Sequence, residues 1–109
     1  MGHIALPHID RLAARRLAYS LEEVAQRLGR AASVAEFISA LEENRSTWRK
    51  IRCAAKRYGW ALPRRFMDFC LASSEPMGRC CVSDHDVEAI ISINLSVSKT
   101  ILMLGKYVH

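Results

Sequence analysis

The chain has 109 residues, half of them apolar and a quarter charged, the proportions of one ordinary globular domain. Sixteen Lys and Arg against eleven Asp and Glu leave a formal net charge of +5, which leans toward acidic partners or nucleic acid. No apolar run reads as approaching the ~20 residues of a membrane span, and the start Met1-Gly2-His3-Ile4-Ala5-Leu6-Pro7 has no basic n-region or long apolar stretch, so the expected place is the cytoplasm, away from membranes.

Residues 1–9 read as a flexible N-terminal segment of a single domain spanning 1–109. The first helix is expected from Asp10 to Leu28. Leu17, Leu21, Val24 and Leu28 recur at helical spacing, and Gly29 stands where a helix would stop. Ser20 and Glu23 have capping-box spacing, which allows a break near Tyr19. The second helix starts at Ser33, because Ser33 and Glu36 form the Ser-x-x-Glu signature that satisfies free amides in a first turn. Its apolar face reads Val34, Phe37, Ile38, Leu41, Trp48, Ile51, Ala55 and Tyr58, and Gly59 closes it. Leu62-Pro63 opens a third helix, where the missing proline N–H costs nothing. Phe66, Phe69 and Cys70 supply its buried side, and Ser73-Ser74-Glu75-Pro76-Met77-Gly78 reads as a breaking loop. The fourth helix begins at Ser83, with Asp84 and Asp86 at its positive end. Its stripe is Val87, Ile90, Ile91, Asn94, Val97, Ile101 and Leu104, ending at Gly105. The expected fold is an all-α bundle of about four helices around one core centred on Leu41, Trp48, Ile51, Phe66, Ile90 and Ile101.

Little in this pattern suggests catalysis. Cys80, Cys81 and His85 are the nearest approach to a metal cluster, with Asp84 and His109 as further oxygen and nitrogen donors. Zinc sites space their cysteines two to four apart so that both thiolates reach one ion, which adjacent cysteines rarely do. Cys81 with His85 would make a thiol and a base, but nothing supplies an oxyanion hole or a pocket for substrate. Cys53 and Cys70 fall within helical patterns, where cysteine packs as a small apolar group. The reading is reduced thiols, no metal, no cofactor and no small-molecule ligand.

Two features bear on binding. Arg45, Arg49, Arg52 and Lys56 step by three and four along one side of the second helix. Such a face is a solvated amphipathic surface or a phosphate-binding one, with Tyr58 or Trp60 able to stack on bases. The second feature is an asparagine inside each of two apolar stripes. Asn44 shares a face with Leu41 and Trp48, and Asn94 with Ile90 and Val97. A buried amide is costly unless paired, so both are expected to be buried, hydrogen-bonded and on neighbouring helices. A leucine at either position is expected to keep stability while disturbing the geometry of the bundle.

These same residues carry a resemblance. Ala40-Leu41-Glu42-Glu43-Asn44-Arg45-Ser46-Thr47-Trp48 resembles the Ala-Leu-x-x-Asn-Arg-x-x-Trp core of the flagellar biosynthesis regulator FlaF family. Leu62-Pro63 falls where that family has Leu-Pro before a helix, and Ile90-Ile91-Ser92-Ile93-Asn94 is similar to its Leu-Ile-x-Ile-Asn. The similarity covers roughly Arg15 to Leu104. It implies a small cytoplasmic helical bundle that promotes flagellin production or export by binding flagellin or a translational regulator of flagellin. The residues it singles out are Asn44, Arg45, Trp48, Leu62, Pro63 and Asn94. The alternative is direct binding of RNA or DNA through the region from Arg45 to Arg65.

Overall fold

A computed structural model describes residues 6–73 and 83–106. They form four helices and, among the described residues, no strand: α1 (Leu6–Arg30), α2 (Val34–Tyr58), α3 (Arg64–Ser73) and α4 (Asp84–Lys106). The all-α expectation is met.

The helix ends follow local chemistry. Ser33 caps α2 by accepting the Glu36 N–H at 3.1 Å, while the Glu36 carboxylate accepts the Ala32 N–H at 2.8 Å. At the other end Gly59 takes the left-handed conformation, with φ of 73°, and donates its N–H to the Ala55 carbonyl. Ser83 caps α4 by accepting the Asp86 N–H at 3.1 Å. The Pro63 carbonyl accepts from the N–H groups of Phe66 and Met67, so the proline sits just before α3 as its cap.

The first helix departs from expectation at both ends. It begins at Leu6, ahead of the expected Asp10, and it runs unbroken past Tyr19 and through Gly29 to Arg30. Proline is at home in a first helical turn, so Pro7 does not delay the start. Of the loop read at 73–78, Ser73 is instead the last residue of α3, and 74–78 lie outside the described residues.

The packing partners are set by side-chain size. Helix α1 lies against both α2 and α4, antiparallel to each. Its α4-facing side carries Ala14, Ala18 and Ala25 as well as Leu21, all buried. Small side chains let two helix axes approach to the short end of the usual 8–10 Å range. Gly29 continues this seam, with Ile91 3.8 Å from where its Cβ would stand. By contrast, no Cα of α2 comes within 8 Å of one of α4 among the described residues. Long side chains fill that wider gap.

The interior divides into two apolar clusters. One holds Ala14, Ala18, Leu21, Trp48, Ile51, Ala54, Ala55, Trp60, Cys70, Val97 and Ile101. The other holds Val24, Leu28, Ala40, Leu41 and Ile90. Half-buried Phe69 touches both. On α2 and α4 alike, the residue between the two clusters is an asparagine.

Three apolar residues expected inside are not there. Phe66 is 38% exposed, Ile38 41% and Val34 75%. Phe66 and Val34 stand in first turns, and Ile38 one turn further along α2, where few neighbouring elements cover the wheel's apolar face. The expectation of no membrane-length apolar stretch is also corrected: Asp84–Leu104 is long and apolar enough to cross one, judged by length and composition. In the bundle, one face of that helix supplies buried Ile90, Asn94, Val97, Ser98 and Ile101, while Leu95 and Met103 stay exposed.

Candidate functional site

Asn94 is the point at which all four helices meet. It is fully buried, as is Asn44. Its side-chain nitrogen donates to Asn44 Oδ1 at 2.7 Å and to the Leu21 carbonyl at 3.4 Å. Its oxygen accepts the Trp48 indole N–H at 2.8 Å, with the Cys70 thiol 4.0 Å away on the same oxygen. One amide thus joins α1 through a backbone carbonyl, α2 through two side chains, and α3 through a thiol. An amide has two donors and two acceptor sites, and this environment addresses all of them. In a low-dielectric interior such bonds are stronger than in water, and losing a partner is correspondingly costly.

The arrangement meets the expectation that the two asparagines are buried and answer each other. It refines the expectation that their helices are neighbours: α2 and α4 face one another across the core, and the amides and Trp48 span the distance. Every helix carries its share of both apolar clusters on either side of this polar layer. Sliding one helix by a turn would set an amide against hydrocarbon, so the layer selects one register, a role well attested for buried asparagine in helical assemblies.

The surrounding polar groups are also engaged. Buried Ser98, one turn beyond Asn94, donates to the Glu22 carboxylate at 2.8 Å. Burial pushes the Cys70 thiol up to about 12, so it stays protonated and unreactive at neutral pH. The buried side-chain atom without a partner, among the described residues, is Trp60 Nε1.

The remaining motif residues have other duties. Leu62 is half-buried against the larger cluster and donates its N–H to the Trp60 carbonyl, and Pro63 caps α3. Arg45 is half-buried at the α2–α3 groove, which it lines with Arg49, Arg52, Asp68, Leu71 and Ala72. Three members of the expected basic face, Arg45, Arg49 and Arg52, therefore share a groove with a carboxylate. Lys56 is exposed further along the same side.

A second groove, of about 590 Å³, runs between α1 and α2. Its lining includes Ala13, Leu17 and Ala54 below and Arg16, Arg49, Lys50 and Arg57 around, with exposed Cys53 among them. No carboxylate lines it among the described residues. The sequence reading of the basic face included only Arg49 of these. The signal for the rest was the parallel row Lys50, Cys53, Arg57 at spacings of three and four, but Arg16 joins it only through the fold.

Of the thiol and metal candidates, Cys80, Cys81 and His109 lie outside the described residues. Asp84 and His85 are exposed in the first turn of α4. No group of three His, Cys, Asp or Glu placed to share an ion occurs among the described residues. No family model, curated protein or solved structure matches this chain.

Proposed function

We propose that this protein is a flagellar biosynthesis regulator of the bacterial cytoplasm, acting by binding flagellin or a protein that regulates flagellin synthesis, and not by catalysis. The observation that supports it most is the convergence of separate motif fragments. Asn44 and Trp48 come from the segment that resembles the family's first motif, and Asn94 from the segment that resembles its last. They are 50 residues or fewer apart in sequence, and they meet in one hydrogen-bonded layer. Leu62 and Pro63, between them, set the corner that leads into α3. Fragments that are each short in sequence thus describe one physical unit.

On this reading the motif residues hold the bundle in register, and the exposed helix faces meet the partner. The test is a pulldown from flagellated cells of the host, with mass spectrometry of bound proteins, beside motility and flagellin levels after deletion of the gene. Recovery of flagellin or a flagellin regulator, with reduced flagellin on deletion, is the expected result. Normal motility and flagellin without the gene would refute the proposal. Tight, sequence-selective binding to a flagellin leader RNA at physiological salt would replace it with the nucleic-acid reading.

A further inference from the structure

We propose that the groove between α1 and α2 is a docking site for an acidic amphipathic helix of a partner protein; this rests on the reading of the chain as a protein-binding bundle. Three observations select that occupant.

The first is charge. Arg16, Arg49, Lys50 and Arg57 rim the groove, and no Asp or Glu lines it among the described residues. No ion pair within the described residues engages Arg16, Arg49 or Lys50. The α2–α3 groove differs, because Asp68 stands among its arginines; Arg49 lines both grooves, whereas Arg16, Lys50 and Arg57 line only the α1–α2 groove. Carboxylates brought to the α1–α2 groove would meet cations that no carboxylate among the described residues pairs with. Complementary charge of this kind steers encounter and fixes orientation.

The second is the floor. Ala13, Leu17 and Ala54 offer small apolar surface between the cations, with the alkyl stems of the basic side chains alongside. The groove follows two long helices and lies open along them, so a segment can be laid in from the side. An amphipathic helix fits this shape, with apolar residues at i, i+3, i+4 and i+7 on the floor and Asp or Glu on either flank.

The third weighs against nucleic acid. Single-stranded binding uses aromatic faces on which bases stack. Tyr58 is half-buried, with the Arg57 guanidinium 5.7 Å from its ring centre and Trp60 5.6 Å from it. Trp60 itself is buried. Tyr58, which lines the groove, thus has its ring engaged by Arg57 and Trp60, and an apolar floor offers a phosphate backbone no partner.

The experiment uses the full chain and fluorescence anisotropy at physiological salt. The probes are a helical peptide of about 18 residues with a leucine stripe flanked by glutamates, the same peptide with lysines for glutamates, an unstructured oligouridine RNA, and vesicles rich in phosphatidylglycerol. The acidic peptide is expected to bind, and the basic one not. Arg49→Glu and Lys50→Glu, each checked by circular dichroism, should weaken it by roughly tenfold or more. Bound peptide should protect Cys53 from alkylation, read residue by residue by mass spectrometry. RNA or vesicles binding more tightly than the acidic peptide, or an unprotected Cys53, would overturn the proposal. Purified flagellin separates the two readings. If it binds and Arg49→Glu leaves that binding intact, the groove assignment fails and the flagellar one stands. If motility and flagellin levels are normal without the gene while the acidic peptide docks and protects Cys53, the groove stands and the flagellar assignment falls.

Discussion

Trp48 lies in the middle of α2, and Trp60 in the short corner between α2 and α3. Both indoles are buried, at 0% and 8% exposure. One donates its N–H to Asn94, and the other has no partner for it among the described residues. The difference lies in how each side chain is aimed. Helical periodicity points Trp48 at a fixed place on the opposite wall, and α4 presents an amide there. Trp60 follows Gly59, whose left-handed turn swings the chain off the helix axis. The Trp60 backbone N–H then bonds the Ala55 carbonyl, and its ring settles beside Tyr58. Ring packing and the backbone decide its orientation, and the indole N–H is left over. The central layer is therefore specified by polar pairing, and the corner by apolar packing.

The largest expected effect is at the central layer. Trp48→Ala should destabilise the protein by about 3–5 kcal/mol, the range for a large buried aromatic cut to alanine. That is much of the ~5–15 kcal/mol available to a typical domain. Urea denaturation followed by circular dichroism measures it. A loss below about 1 kcal/mol would mean that the layer does not organise the core as described.

Asn94→Leu comes next. On the sequence alone a leucine looks harmless, because the position belongs to an apolar stripe. The network reverses that expectation. Leucine would leave the Trp48 indole N–H and the Asn44 carbonyl facing hydrocarbon, each costing about 1–3 kcal/mol. The expected loss is about 2–4 kcal/mol, with reduced melting cooperativity. Asn44→Leu removes the oxygen that accepts from the Asn94 amide and should also be destabilising. A double-mutant cycle should show strong coupling between the two positions, and additive losses would break the paired-amide account.

Much of this was legible in the sequence, and for identifiable reasons. Ser33 with Glu36, Gly59 and Ser83 fix helix ends by chemistry confined to four or five neighbouring residues, so no tertiary knowledge was needed. Asn44 and Asn94 betrayed their burial by breaking an otherwise apolar stripe. Ala14, Ala18 and Ala25 gave no such signal, because alanine is as common on a solvated helix as inside one. Phe66 and Val34 misled because periodicity identifies a face and not whether a neighbour covers that end of it. The α1–α2 groove was illegible because Arg16 and Arg57 are 41 positions apart and meet only when the helices pair.

Cys70 offers a smaller test of the same layer, through pH. Its thiol pKa rises from an ordinary 9 to about 12 because burial disfavours the thiolate. Above pH 9 the unfolded chain releases this proton and the folded chain keeps it, so the unfolded state binds fewer protons. Stability therefore falls with rising pH, by about 1.4 kcal/mol per pH unit between those two values, and is unaffected by this group below pH 9. Lys and Tyr titrate in the same window, so the comparison is with Cys70→Ala. The variant should lose less stability than the parent on going from pH 8 to about pH 10.5, by about 2 kcal/mol. Equal losses would place the thiol in contact with solvent.

The smallest expected effect is the one that separates the two tryptophans most directly. Trp48→Phe and Trp60→Phe remove the same atoms from two buried sites, so the loss of apolar contact is similar in kind. At Trp48 the change also deletes a donor and leaves the Asn94 oxygen with only the weak Cys70 thiol contact. At Trp60 it deletes an N–H that has no partner among the described residues, and so removes a desolvation cost already present in the native state. Losing a bonded partner is unfavourable by about 1–3 kcal/mol, and removing an orphaned one is favourable by a similar amount. Trp60→Phe should therefore lie near zero, its smaller ring offset by the lost N–H, while Trp48→Phe should be clearly destabilising. Both variants are measured under one set of conditions by denaturant melts, with attention to whether the slope stays constant. Equal destabilisation would mean that the Trp60 N–H finds a partner in solution and that the corner is, like the centre, held by polar pairing.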